Sequence, residues 1–270
     1  MNKKMLSLPF LFWSALFIII PIGMVFYYGL TDKAGAFTLE NILAITTPEH
    51  SKALWEALKL SVISTVICFL LAYPLALILC SLNVNQNSFI ILIFVLPMWM
   101  NFLLRTLAWQ TLLEKTGVIN NVLNWFGLPT LDIINTPAAI VLGMVYNFLP
   151  FMVLPLYNVL IKIDRNVVNA ARDLGANEVQ TFLKIIFPLS IPGVISGITM
   201  VFVPALTTFV ISKMLGGSKI LLIGNVIEQE FTQTGNWHLG SGLSIVLMLF
   251  IIFNMVLSAV TDKEGEANIL

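Results

Sequence analysis

The chain has 270 residues, of which 58% are hydrophobic and only 10% charged, with 14 Lys and Arg balanced by 14 Asp and Glu. Soluble domains carry about 25% charged residues, and a chain this apolar has too few polar side chains to clothe a surface in water. A soluble fold is excluded, and the zero net charge removes any electrostatic case for binding nucleic acid.

Charge-free stretches cover 5–31, 60–104, 133–161, 185–212 and 231–261. A membrane crossing takes about 20 apolar residues, so the stretch 60–104 holds two crossings, parted by the polar turn Asn83-Val84-Asn85-Gln86-Asn87-Ser88. The prediction is an all-α integral membrane protein, one domain over 1–270, with helices near 9–30, 58–82, 89–113, 138–160, 189–211 and 242–261. The first apolar run follows Lys3 and Lys4. It extends for about 20 residues, against the 7–15 of a signal peptide, and is expected to stay as a span. Lys and Arg number seven on each side of this layout, but the loops on the side of the termini are shorter. Their higher density places both termini in the cytoplasm.

Pro21, Pro74, Pro97, Pro150, Pro155, Pro192 and Pro204 fall inside these helices, where neighbouring helices can meet the freed carbonyls. Gly193 and Gly197 form a GxxxG that allows close helix approach. Arg105 is expected to snorkel to the outer interface. Cys68 and Cys80 lie about 18 Å apart along one helix, too far to bridge.

Enzymatic chemistry has no foothold. Gly216-Gly217-Ser218-Lys219 lacks the spacing of a phosphate loop. His50 and His238 occupy different loops without metal-ligand spacing. The spans contain no Asp, Glu or His for proton transfer.

Between the fourth and fifth spans, Val167, Ala170, Ala171 and Leu174 share one helical face. Gly175 is a natural stop, and Asn177 with Gln180 resembles a capping box that restarts a helix. Further on, Ile220, Ile223, Ile227 and Phe231 mark an amphipathic surface helix. Glu228 and Glu230 lie off that stripe. With Glu40, Glu49, Glu56, Glu114 and Asp132 they are candidates to meet a cation or a docking protein outside the membrane.

The run Asn169-Ala170-Ala171-Arg172-Asp173-Leu174-Gly175, nine residues, then Ile185-Ile186-Phe187-Pro188, resembles the cytoplasmic loop of binding-protein-dependent ABC importer permeases. The family pattern is Glu-Ala-Ala, three residues, Gly, nine residues, Ile-x-Leu-Pro. Asn169 replaces the usual Glu, and Phe187 the usual Leu. Leu96–Arg105, Phe148–Tyr157 and Leu221–Ile227 are similar to permeases of the spermidine/putrescine branch. The resemblance implies a type I importer fold in a bacterial inner membrane, with the loop 161–188 coupling the subunit to ATP hydrolysis. It implies a second homologous permease, two cytoplasmic ATPase subunits that hold ATP and Mg, and an extracytoplasmic polyamine-binding protein, all assembled in the lipid bilayer. No cofactor is expected in this chain. Asn169, Ala170, Ala171, Arg172, Asp173, Gly175 and Pro188 are the expected coupling residues. For a polyammonium cargo, aromatic faces supply weak repeated contacts. Trp99, Trp109, Tyr146, Phe148 and Tyr157 are the candidates, with Asn101 and Asn147 as acceptors. A permease for an anion or iron, or a channel outside the ABC class, remains the alternative.

Overall fold

The computed structural model describes residues 3–81 and 96–267. The polar turn 83–88 lies outside them. Helix α1 (Lys3–Ser14), a π-turn (Ala15–Ile19) and α2 (Ile20–Gly29) form the first span. A bridge between Thr31 and Phe37 turns the chain into the short α3 (Glu40–Leu43). Helix α4 (Pro48–Ser81) follows. It starts ten residues ahead of the predicted 58 because the segment from Glu49 to Lys59 continues the same helix past its apolar part.

The third predicted span, 89–113, needs correction. Its described part is a 3-10 turn (Leu96–Trp99), a break at Met100, and α5 (Phe102–Leu113). The twelve residues of α5 rise about 18 Å, and positions 89–95 of the predicted span lie outside the described residues. The break has a local cause: the Asn101 carboxamide oxygen accepts from the N–H groups of Leu103 (2.8 Å) and Leu104 (3.4 Å) and so starts a new helix.

Then come α6 (Val118–Trp125) and the long α7 (Pro137–Leu160), capped by the Thr136 hydroxyl. Helices α8 (Arg165–Asp173) and α9 (Glu178–Thr181), a second π-turn (Phe182–Ile186) and α10 (Phe187–Thr207) carry the chain back. The last elements are α11 (Val210–Leu215), α12 (Ile223–Thr232) and α13 (Trp237–Ala267). Five helical stretches among the described residues are long and apolar enough to cross a membrane: Pro9–Gly29, Pro48–Ser81, Pro137–Leu160, Glu178–Thr207 and Trp237–Ala259. The chain is a multi-pass membrane protein.

Helix α7 is the axis of the core and packs on α4 and α10, which also touch each other. Met144, Met152 and Leu156 are fully buried on it. The GxxxG performs its close approach here: a Cβ on Gly193 would stand 3.0 Å from Val159 Cβ and 3.1 Å from the Pro155 carbonyl, and one on Gly197 2.6 Å from Met152 Sδ. Helix α2 packs chiefly on α13, which meets the core through α10.

Arg105 is a second correction. Only 8% exposed, with Nε lacking a hydrogen-bond partner, it does not snorkel. Helix α5 leans on α11 and α7, and the residue is buried in the subunit.

Candidate functional site

The segment between α7 and α10 is built from local rules. The Asp164 carboxylate accepts from the Asn166 N–H (2.8 Å) and caps α8. At the other end, Ala176 N–H reaches the Ala171 carbonyl (3.0 Å) and Gly175 N–H the Arg172 carbonyl (2.9 Å). This pair of bonds is a Schellman motif. It requires a left-handed residue, and Gly175 takes it at φ +86° with no atom close to the missing Cβ. Asn177 then opens α9 with a reciprocal capping box: its side chain accepts from Gln180 N–H (2.8 Å) while Gln180 Oε1 accepts from Asn177 N–H (3.0 Å). The Arg172 guanidinium spans the turn to Glu178 at 2.9 Å.

This loop presents an unpaired apolar face. Val167 (46% exposed), Leu174 (90%), Val179 (64%) and Leu183 (58%) point away from the chain. Asn169, Ala170, Arg172, Asp173, Gly175 and Pro188 are exposed as well. Ala171 is the exception, since it is buried, and it separates from the face predicted for it because α8 folds back on the second π-turn. An exposed apolar surface of this kind marks a site of contact with a protein or with the membrane.

The candidate path residues do not converge. Trp109 and Tyr146 meet edge to face at 5.2 Å in an apolar groove of about 680 Å³ between α4, α5 and α7. Trp99 is 78% exposed and stands apart. Asn101 spends its oxygen on the α5 cap. Asn147 is 1% exposed, donates to the Gly143 carbonyl at 2.8 Å, and leaves Oδ1 unpartnered. Tyr157 is packed in the core.

At the end of the bundle opposite the loop, a cavity of about 510 Å³ lies between the start of α4 and α12. Glu49, Glu56 and Glu230 line it together with Lys52, Lys59 and Lys219. The predicted surface helix is α12, with Ile223 fully buried under it. Glu228 pairs with Lys213 at 3.3 Å, and Asp132 with Lys115 at 3.2 Å, so these carboxylates are already occupied. Sequence reasoning missed Asn225, which holds the base of α12. Its side chain accepts from Leu222 N–H (3.1 Å) and the Ser212 hydroxyl (2.6 Å) and donates to the Phe209 carbonyl (2.9 Å). A buried asparagine beside an otherwise apolar run was the available signal.

A bundle of membrane helices with an exposed, capped helix–turn–helix hung between two of its spans defines the permease class of transporters. The chain belongs to the binding-protein-dependent transport system inner membrane component family, whose pattern matches residues 4–263. It is 37% identical over 252 residues to the spermidine/putrescine transport system permease protein PotB of Haemophilus influenzae, covering 89% of this chain and 88% of that one. It is 36% identical over 245 residues to the PotB of Escherichia coli K12, covering 88% and 89%. Among solved structures it resembles a bacterial ABC transporter that imports alginate, with a TM-score of 0.78 at 18% identity over 95% of this chain and 94% of that one. A second structure of an alginate ABC transporter, in complex with a pentasaccharide-bound periplasmic protein, matches with a TM-score of 0.75 at 17% identity, covering 96% and 94%. The fold is that of a type I ABC importer permease.

Proposed function

We propose that this chain is one permease subunit of an ATP-driven importer of polyamines such as spermidine and putrescine. In this reading it pairs with a second homologous permease in a bacterial inner membrane. Of two cytoplasmic ATPase subunits that bind ATP and Mg, one docks on α8 through Ala170, Leu174 and the rim formed by Asn169, Arg172 and Asp173. An extracytoplasmic binding protein delivers the cargo at the opposite end, beside α12. Both termini then face the cytoplasm. The observation that carries the reading is the exposed, doubly capped loop in a chain so similar to the PotB permeases.

The mechanism follows from rigidity. The capping box and the Schellman turn fix α8 and α9 as one small body, which an ATPase can push without melting it. Asn169 keeps a hydrogen-bonding oxygen where the family has a carboxylate but brings no charge, so docking rests on apolar contact. Polyamine passage relies on ring faces such as Trp109 and Tyr146, whose attraction for ammonium is weak enough to release it.

A second reading, an anionic cargo, draws on Arg105, a buried cation with an unmet donor. The test serves both. The complex is purified from native membranes, reconstituted in liposomes with ATP inside, and offered spermidine, putrescine or sulfate. ATP-dependent spermidine or putrescine uptake supports the proposal. Sulfate uptake without either amine selects the second reading, and a subunit that purifies without an ATPase refutes the docking of an ATPase on α8.

A further inference from the structure

Both π-turns stand in the same relation to a proline. Ala15–Ile19 ends two residues before Pro21, and Phe182–Ile186 two residues before Pro188. Each closes with a bond five residues back, from Ile20 N–H to the Ala15 carbonyl and from Phe187 N–H to the Phe182 carbonyl. Proline has no N–H, and its ring collides with the carbonyl four residues earlier. Widening the turn ahead of it relieves that collision. Neither π-turn contains a buried residue. The second is the joint between the exposed loop and span α10.

That second joint is braced from the side. Tyr73 of α4 is 5% exposed. Its ring stands edge-on to Phe182 (5.6 Å, 88°) and lies 5.9 Å from Phe187. Its oxygen is 2.6 Å from Ser190 Oγ. The Ser190 proton goes to the Phe187 carbonyl at 2.8 Å, so Tyr73 is the donor. One side chain therefore grips the residue that opens the wide turn, the residue that follows it, and the first turn of α10. At the joint itself, Thr181 is 1% exposed and its hydroxyl has no partner. A buried, unmet hydrogen bond marks a place where rearrangement releases energy.

We propose that Tyr73 is a positioning residue for energy coupling: it clamps the wide turn Phe182–Ile186, so that displacement of α8 is passed to α10 and not absorbed in the joint. This rests on the reading of the loop as the ATPase contact. A wide turn lacks the ordinary four-residue bonds of an α-helix and bends easily without a brace. The brace comes from α4, which also packs on α7, so the force is referred to the centre of the bundle.

The test uses the whole complex in liposomes, with spermidine uptake and ATP hydrolysis measured in the same vesicles. Tyr73→Phe keeps the ring and stays within about twofold of wild type in uptake per ATP hydrolysed. Tyr73→Leu loses ring and hydroxyl. It lowers that ratio roughly tenfold, within the range of measured coupling effects, while complex recovery and ATP hydrolysis hold. Phe182→Leu removes the same ring contact from the loop side and shows the same loss, which decides the matter if Tyr73→Leu fails to assemble. Equal falls in uptake and hydrolysis, or a wild-type ratio in both leucine variants, overturn the inference. A wild-type complex without ATP-driven spermidine uptake overturns the functional reading first, before any variant is made.

Discussion

Replacing Leu174 with alanine perturbs the proposed docking face and almost nothing else. The side chain is 90% exposed in the subunit, so it adds little to the subunit's own core and has nearly its whole apolar surface left to bury against a partner. Removal of three carbons, at about 0.8 kcal/mol each, takes away roughly 2 kcal/mol of contact. At 1.4 kcal/mol per factor of ten, the ATPase subunit should bind about 30-fold more weakly. The measurement is a titration of labelled ATPase subunit onto permease pairs held in nanodiscs. Leu174→Met preserves volume and apolarity and should stay within about threefold, since volume-conserving apolar exchanges cost little. The melting temperature of the permease should not move. Unchanged affinity in the alanine variant would remove Leu174 from the interface, and a lowered melting temperature would contradict its exposure.

Other substitutions address the glycine turn, a close contact and the cargo path. Gly175→Ala meets no neighbour, so its cost is the left-handed backbone alone, about 1–2 kcal/mol. Uptake should fall while membrane abundance holds, and Gly175→Asn should recover part of it; full activity in the alanine variant would show that the turn is not a constraint. Gly224→Ala places a Cβ 2.7 Å from the Thr207 carbonyl and 3.0 Å from that of Thr208. Backbone cannot step aside as a flexible side chain does, so the variant should lose about 1–3 kcal/mol, read as a lower melting temperature in detergent. Trp99→Ala should leave stability untouched because the ring is 78% exposed. It should slow spermidine uptake several-fold, as loss of a cation–π contact of ~0.5–2 kcal/mol implies; wild-type uptake takes Trp99 off the path.

What could be read in advance was local. Gly175, Asn177 and Gln180 obey rules that reach no further than three or four residues, and the structure has the stop and the capping box where those rules put them. Charge-free runs marked the spans for a similar reason, since hydropathy is a sum over neighbours. The same summation hid the break at Asn101, because a single carboxamide hardly changes a window of twenty residues, although asparagine ahead of a helix is an ordinary start signal. The burial of Arg105 and the inward turn of Ala171 depend on which helix leans on which, and no window contains that. Aromatic residues were picked by type and depth. Only the pairing of helices decides that Trp109 meets Tyr146 while Tyr157 goes to the core. Both prolines that follow the π-turns were in plain view, but a proline alone does not say whether a helix will kink, stop or widen.

The partnership of α2 with α13 has a consequence for how the protein is made. His238 Nδ1 lies 3.0 Å from the Tyr28 carbonyl and 2.7 Å from that of Thr31, contacts between residues 210 and 207 positions apart. At roughly 5–20 residues per second of synthesis, the first span spends about 10–40 s in the bilayer before its companion exists. No residue in its most apolar window is buried in the finished chain. Such a helix is at home in lipid on every side, which is the property needed by a segment that must wait alone. The late-arriving histidine then donates to carbonyl groups at the end of the waiting helix and just beyond it, joining the first span to the last.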